Sequence, residues 1–245
     1  MLRSAKSINE QRIEAVDGHI GHVVDIFFDD TEWIVRYVVV DLGTWIPDRK
    51  VLIATAALGQ PRNITFPVNL TKDQIRNSPD IDFDKPVSRR HEAELHYYYG
   101  WPAYWGATAY GEPAPGETTP PAGEPDEGET HLRSARAVMG YHILSENGEI
   151  GHIEDFIVDD ALWTIRYVAV DTANWLPGKK VLMAPDWIES IDWKPKKVFV
   201  QLTQDEIRNC PEYDPNEPIN RAYEERLYDY YGRPRYWMER VGHES

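Results

Sequence analysis

The chain has a single cysteine, Cys210, in 245 residues. No internal disulfide can form, so cohesion has to come from apolar burial. Positive charge is scarce: 26 Lys and Arg stand against 41 Asp and Glu, a formal net charge of −15. That balance repels phosphate backbones and anionic lipid, and it argues against a general nucleic-acid or membrane-surface binder. No apolar run approaches the roughly 18 residues that a spanning helix needs. The longest, Ile34 to Val40, is interrupted by Arg36. The opening residues MLRSAKSINEQR contain no apolar core of a secretory signal, and the expectation is a cytoplasmic protein with no direct membrane insertion. Nucleotide-cradling and nucleophile-elbow motifs are missing as well: there is no G-x-G-x-x-G, no P-loop and no G-x-S-x-G. What the sequence does have is 42% hydrophobic and 12% aromatic content, enough for one large core or two smaller ones.

Self-comparison shows that the chain is a duplication. A shift of 130 positions lays V-D-G-H-I-G-H-V-V-D-I-F-F-D-D from Val16 over E-N-G-E-I-G-H-I-E-D-F-I-V-D-D from Glu146 without a gap. Roughly half of the central block is identical, far above chance. Beyond the Lys50-Val51-Leu52 match with Lys180-Val181-Leu182 the register moves to 132, and Tyr104-Trp105 meets Tyr236-Trp237. The boundaries follow: a first repeat over 1–105, a linker over 106–131 rich in Pro and Gly with acidic residues its only charges before His131, and a second repeat over 132–245. The linker composition cannot bury enough apolar surface to offset chain entropy.

Short runs of Val, Ile, Phe, Tyr and Trp punctuated by turn residues predict a mainly β fold. Asp17-Gly18 and Asn147-Gly148 supply the positive φ of tight hairpins, and Asp29-Asp30 and Asp159-Asp160 break the next strands, giving a β-meander. The segment Trp33 to Val40 is apolar on both faces apart from Arg36, which suits a strand in a small closed barrel. A further hairpin is expected over Trp187 to Asp192 and Lys197 to Leu202. Thr71-x-x-Gln74 and Thr203-x-x-Glu206 read as capping boxes, each opening a short helix. His91 to Gly100 and Tyr223 to Gly232 form aromatic-rich helical tails stopped by glycine, whose stripe must pack on a barrel, its own or that of the other copy.

Among candidate sites, His22-x-x-Asp25 and His152-x-x-Asp155 have the wrong spacing for a shared metal ligand set on a strand, because residues three apart point to opposite faces. The expectation is a structural role, with Asp25 and Asp155 capping a turn or pairing with Arg36 and Arg166. Asp29-Asp30 and Asp159-Asp160 lack the ligand number of a calcium loop. His91 and His96 are five apart, not four, and Tyr223 and Tyr228 replace them in the second copy. No catalytic residue, metal or cofactor is expected, and Cys210 reads as an inert thiol. The loops Trp45-Ile46-Pro47 and Trp175-Leu176-Pro177 join an aromatic and an aliphatic residue to a rigid proline, a low-entropy knob suited to a protein partner, unless each Trp plugs the end of its barrel or the contact between the two repeats.

The ordered pieces G-H-x-x-D, R-Y-x-x-V-D and W-[IL]-P-x-[KR]-K-V-L, carried by Gly151 to Asp160, Ile165 to Asp171 and Asn174 to Leu182 and again in the first copy, resemble the PRC-barrel family. The resemblance covers about Ser4 to Pro79 and Ser134 to Pro211. It implies two small PRC-type β-barrels and a docking role instead of catalysis. The family includes the cytoplasmic part of a photosynthetic reaction-centre H subunit and a maturation factor of the small ribosomal subunit. The function expected is therefore a non-enzymatic tandem adaptor or scaffold that binds a protein partner. An accessory role in reaction-centre assembly or electron transport, and an RNA- or ribosome-associated role, are the alternatives. Intramolecular pairing of the two repeats is expected, and the sequence does not decide whether a homo-oligomer also forms.

Overall fold

A computed structural model describes residues 1–43, 45–81, 83, 86–105, 131–172, 176 and 178–238. The linker lies outside them, apart from His131. In chain order the first half contains β1 (Leu2–Ser4), α1 (Ala5–Ile8), β2 (Arg12–Ala15), β3 (Gly18–Asp29), β4 (Val35–Asp41), β5 (Lys50–Ala54), β6 (Thr65–Pro67), α2 (Lys72–Arg76) and α3 (Arg89–Tyr99). The second contains β7 (Leu132–Ser134), α4 (Ala135–Val138), β8 (His142–Ser145), β9 (Gly148–Asp159), β10 (Thr164–Asp171), β11 (Lys180–Met183), β12 (Ile188–Asp192), β13 (Lys197–Val200), α5 (Gln204–Asn209) and α6 (Arg221–Tyr231). The fold is mainly β, and the capping boxes at Thr71 and Thr203 form with both of their reciprocal bonds.

The chain divides into two compact units that follow the repeats everywhere except at their first strands. One unit is Ala5–Arg136; the other is Met1–Ser4 with Ala137–Ser245. In the first, the strand order is β5-β4-β3-β2-β6 with β7 added to β3; in the second it is β11-β10-β9-β8-β13-β12 with β1 added to β9. Each unit thus takes its added strand from the other repeat. The meander pairs as expected, β2 with β3 and β3 with β4, all antiparallel. The sheets are nevertheless mixed, because β6 returns parallel to β2 and β13 parallel to β8. The expected closed barrel is not reproduced as a continuous ladder: both hydrogen-bonded orders are open.

Two irregularities shape the long strands. Phe27 opposes Tyr37 while Phe28 opposes Val35, so Arg36 is an extra residue on β4; Arg166 is the corresponding extra residue on β10. A bulge of this kind re-aims a side chain that strict alternation would send elsewhere. Near the start of β3, a Cβ on Gly21 would lie 2.0 Å from the Asp41 carbonyl oxygen, and one on Gly151 would lie 2.0 Å from that of Asp171. Only hydrogen fits where the crossing backbone comes that close. In the Ala5–Arg136 unit a buried cluster joins Phe27, Tyr37, Val39 and Leu52 of the sheet to Leu95 of α3 and Leu132 of the donated strand. Helix and added strand therefore share one core.

Gly21→Ala and Gly151→Ala should each destabilise the fold by about 2 kcal/mol or more, since backbone has to move to relieve the overlap. Urea unfolding of each variant measures this, and a midpoint equal to the wild type would contradict the close-approach account.

Candidate functional site

The densest chemistry in each unit lies under the helical tail. In the first repeat, Ser88 caps α3 by accepting from the His91 amide at 3.4 Å, and Gly100 ends it with φ at 71°. One helical turn separates Arg89 from Glu92 and another separates Glu92 from His96, so all three share a face. That face lies against Tyr37 of β4. Glu92 is 2% exposed. Its carboxylate accepts from the Tyr37 hydroxyl at 3.1 Å and from the Tyr104 hydroxyl, and the Arg89 Nη1 lies 3.1 Å away. Arg36, the bulge residue, sets its guanidinium 3.9 Å from the centre of the Tyr104 ring and forms ion pairs with Asp29 and Glu32.

The second repeat repeats the arrangement. Asn220 caps α6 by accepting from the Tyr223 amide at 2.9 Å. Glu224, 3% exposed, accepts from Tyr167 at 2.8 Å and from Tyr236 at 2.8 Å, with the Arg221 Nη1 at 3.0 Å. Arg166 stands 4.2 Å over the Tyr236 ring and Arg221 4.0 Å over that of Trp237. Each tail therefore docks on the sheet of its own repeat, which resolves the alternative left open by the sequence. Each buried carboxylate is thus held by two phenol donors and a neighbouring guanidinium of its own unit.

One position differs. Where the second repeat has Tyr228, the first has His96, which is buried between the Tyr37 hydroxyl, 2.7 Å from Nε2, and the Pro102 carbonyl, 3.0 Å from Nδ1. A carbonyl can only accept, so Nδ1 carries the proton and the neutral ring accepts from Tyr37 through Nε2. The single phenol proton is then shared between His96 and Glu92. Burial lowers the His96 pKa to about 4 and raises that of Glu92, and both shifts favour the uncharged forms. Burial also pushes the Tyr37 and Tyr104 hydroxyls well above the usual phenol range.

The other candidate residues fall elsewhere. Asp25 does not face Arg36: its carboxylate accepts from the Ile26 amide at 2.8 Å, from the Ser134 hydroxyl, and from the Arg136 amide at 3.1 Å. It receives the donated strand and the start of α4. Asp155 accepts from the Phe156 amide at 2.8 Å, and Arg166 lies 3.7 Å from Asp159. In the 45–47 loop, Pro47 is exposed and Trp45 and Ile46 are half-buried. The Trp45 indole lies beside Arg76 at 5.3 Å and Lys72 at 5.6 Å, both on α2. Leu176 is half-buried, whereas Trp175 and Pro177 lie outside the described residues. The basic residue of this motif closes a helix: Arg49 donates to the Ser78 carbonyl at 2.7 Å, and Lys179 to those of Arg208 and Cys210 at 2.6 and 2.8 Å. Such contacts satisfy carbonyls at a helix C-terminus. The Cys210 thiol is buried, donates to the Ile207 carbonyl at 3.2 Å, and has its pKa raised by burial. No group of three or more metal-ligating side chains occurs among the described residues.

Sequence reasoning missed Glu92 and Glu224. The available signal was a glutamate at the same place in two otherwise aromatic helical stripes, each three residues after an arginine. Replacing either glutamate with alanine strands one guanidinium and two phenols in a dry site and should cost about 3–5 kcal/mol. Urea unfolding gives the loss, and protease cleavage of the tail locates it.

Histidine and glutamate contribute to pH dependence with opposite sign. Because folding lowers the His96 pKa, its stabilising share is complete above about pH 6.5 and is lost as pH falls toward 4. The raised Glu92 pKa gives a share present in acid and lost as pH rises through its folded-state value. His96→Gln keeps a donor and an acceptor but does not titrate, so it should recover about 3 kcal/mol of the stability lost between pH 6.5 and 4. Identical acid profiles for variant and wild type would contradict this.

No family model matches the chain, and a comparison with curated proteins finds no match, so a functional reading rests on the residues and geometry above.

Proposed function

We propose that the chain is a tandem adaptor of the PRC-barrel type: two small barrels that bind a protein partner without chemical conversion. The observation that carries this reading is that the buried carboxylates are held by residues of their own units. Glu92 and Glu224 each accept from two tyrosines and pair with an arginine of the same unit. A general acid or base needs a position where a reacting atom can sit, and these carboxylates offer theirs to tail and sheet. The duplicated apolar loop is then the feature turned outward, with Pro47 exposed and Ile46 partly so. Its neighbours on α2 hold Trp45 in place, which lowers the entropy lost on binding. Two such loops on one chain raise avidity when a partner presents two matching sites.

Barrel geometry is supported by the short connection that links the two ends of each strand order. The chain leaves β11 at Met183, makes one 3-10 turn over Pro185–Trp187, and enters β12, whose Ile188 pairs with Val200 of β13. In the first repeat, Leu58 makes the equivalent bridge to Val68 after the turn at Thr55–Ala57. A turn that lets one strand end one sheet edge and its continuation start the other is how a small barrel rounds a corner.

Ile46→Asp combined with Leu176→Asp should reduce retention of the native partner in affinity capture by about tenfold or more, the scale of a lost hot-spot contact. The thermal midpoint of the purified variant should stay at the wild-type value. Undiminished capture, or a comparable loss on placing the same charge at the exposed residue Ile64, would refute the assignment of these loops.

A further inference from the structure

The exchanged strands carry a property that neither repeat shows alone. Leu2-Arg3-Ser4-Ala5 and Leu132-Arg133-Ser134-Ala135 are the same four residues. They sit in equivalent grooves in equivalent register. Leu2 opposes Asp159, Arg3 opposes Val158 and Ser4 opposes Ile157 on β9; Leu132 opposes Asp29, Arg133 opposes Phe28 and Ser134 opposes Phe27 on β3. Each groove holds its strand by the same charged clasp at the following aspartate: Arg3 Nε to Asp160 at 2.5 Å, and Arg133 Nε to Asp30 at 2.7 Å. Both aspartates are largely buried, so the clasp is shielded from solvent and salt. In the first groove Asp25 adds bonds from Ser134 and the Arg136 amide, and Leu132 completes the core.

The four strand residues and their arginine clasps do not tell one groove from the other; the second groove differs in that the Met1 ammonium also pairs with Asp160 at 2.6 Å. What places Leu2–Ser4 in one unit and Leu132–Ser134 in the other is covalent connectivity: the chain passes between units at Ser4–Ala5 and back at Arg136–Ala137. A strand supplied from outside with the same four residues meets the same ladder register and the same arginine clasp. We propose that the partner these grooves fit is a second copy of this chain, and that two chains donate their L-R-S-A strands to each other to form a strand-exchanged dimer. The internal strand competes through an effective concentration in the millimolar range, so exchange in trans is favoured when chains fold together at high concentration. Exchange of an identical element between chains adds no new interface chemistry and so carries little energetic penalty.

Charge reversal in the full chain tests this. One variant carries Arg3→Asp and Arg133→Asp; a second carries Asp30→Arg and Asp160→Arg. Each alone sets like charges in its own grooves. In a mixture, the reversed strands of the first match the reversed grooves of the second, and the remaining strands and grooves are wild type. After refolding together from denaturant, the mixture should give a one-to-one complex of twice the monomer mass by light scattering, with a thermal midpoint above that of either variant alone. A fourfold variant carrying all the reversals in one chain restores both arginine clasps in cis, although the Met1 ammonium loses Asp160 as its partner, and it should fold as a monomer at low concentration with a midpoint above that of either parent variant. The proposal is overturned if the mixture contains only monomers melting as the separate variants do. It is equally overturned if the fourfold variant stays as unstable as they are, because the grooves would then not read the clasp.

Discussion

A carboxylate withdrawn from water has to be given donors, and in this protein the need for donors is what attaches the end of each repeat to its sheet. Glu92 and Glu224 sit on short helices that would be marginal alone in water. Each gains two phenols and a guanidinium that come from three separate places: a central strand, the helix itself and the tail beyond its glycine stop. Removing any one contributor exposes the others to an unpaired buried charge. Helix, tail and strand are therefore coupled, and the aromatic rings of the tail, stacked under Arg36 and Arg166, seal the site from solvent.

The same logic governs the added strands. Asp25 lies inside the sheet, where an unpaired carboxylate would be costly, and burial alone would raise its pKa. The incoming Ser134 and the amide of Arg136 provide its partners. A buried acid again recruits a segment distant in sequence, here from the other repeat. Both acids stand beside aromatic or β-branched strand residues, so polar anchoring points are set within an apolar frame and fix register where hydrophobic packing alone tolerates slippage.

Much of this architecture was legible in the residues. Duplication, mainly β character, the Asp17-Gly18 and Asn147-Gly148 hairpins, the capping boxes at Thr71 and Thr203, and the glycine stops at Gly100 and Gly232 follow from local rules: turn geometry, side-chain capping and periodicity. Arg36 was visible, but the pairing with Asp25 offered for it is not the one that forms. Strict alternation sends Arg36 away from Tyr37, and only the bulge, set by how β3 and β4 pair, brings Arg36 onto the ring of Tyr104. Glu92 was passed over because a glutamate in a helix, like its neighbour Glu94, is ordinarily a solvated residue. The loop at Trp45 is open in sequence to partner binding or to burial, and its indole lies beside Lys72 and Arg76, a contact between segments with no shared sequence pattern.

The amino-acid sequence by itself determined which segments become strands, turns and helices, and that there are two of everything, because these depend on interactions within a few residues. Tertiary structure decided which repeat receives each L-R-S-A strand, how β6 and β13 come to lie parallel to β2 and β8, and which acids leave water. Those outcomes depend on contacts between residues as far apart as Ser134 and Asp25, where identical local sequences have identical local preferences and only the path of the whole chain distinguishes them.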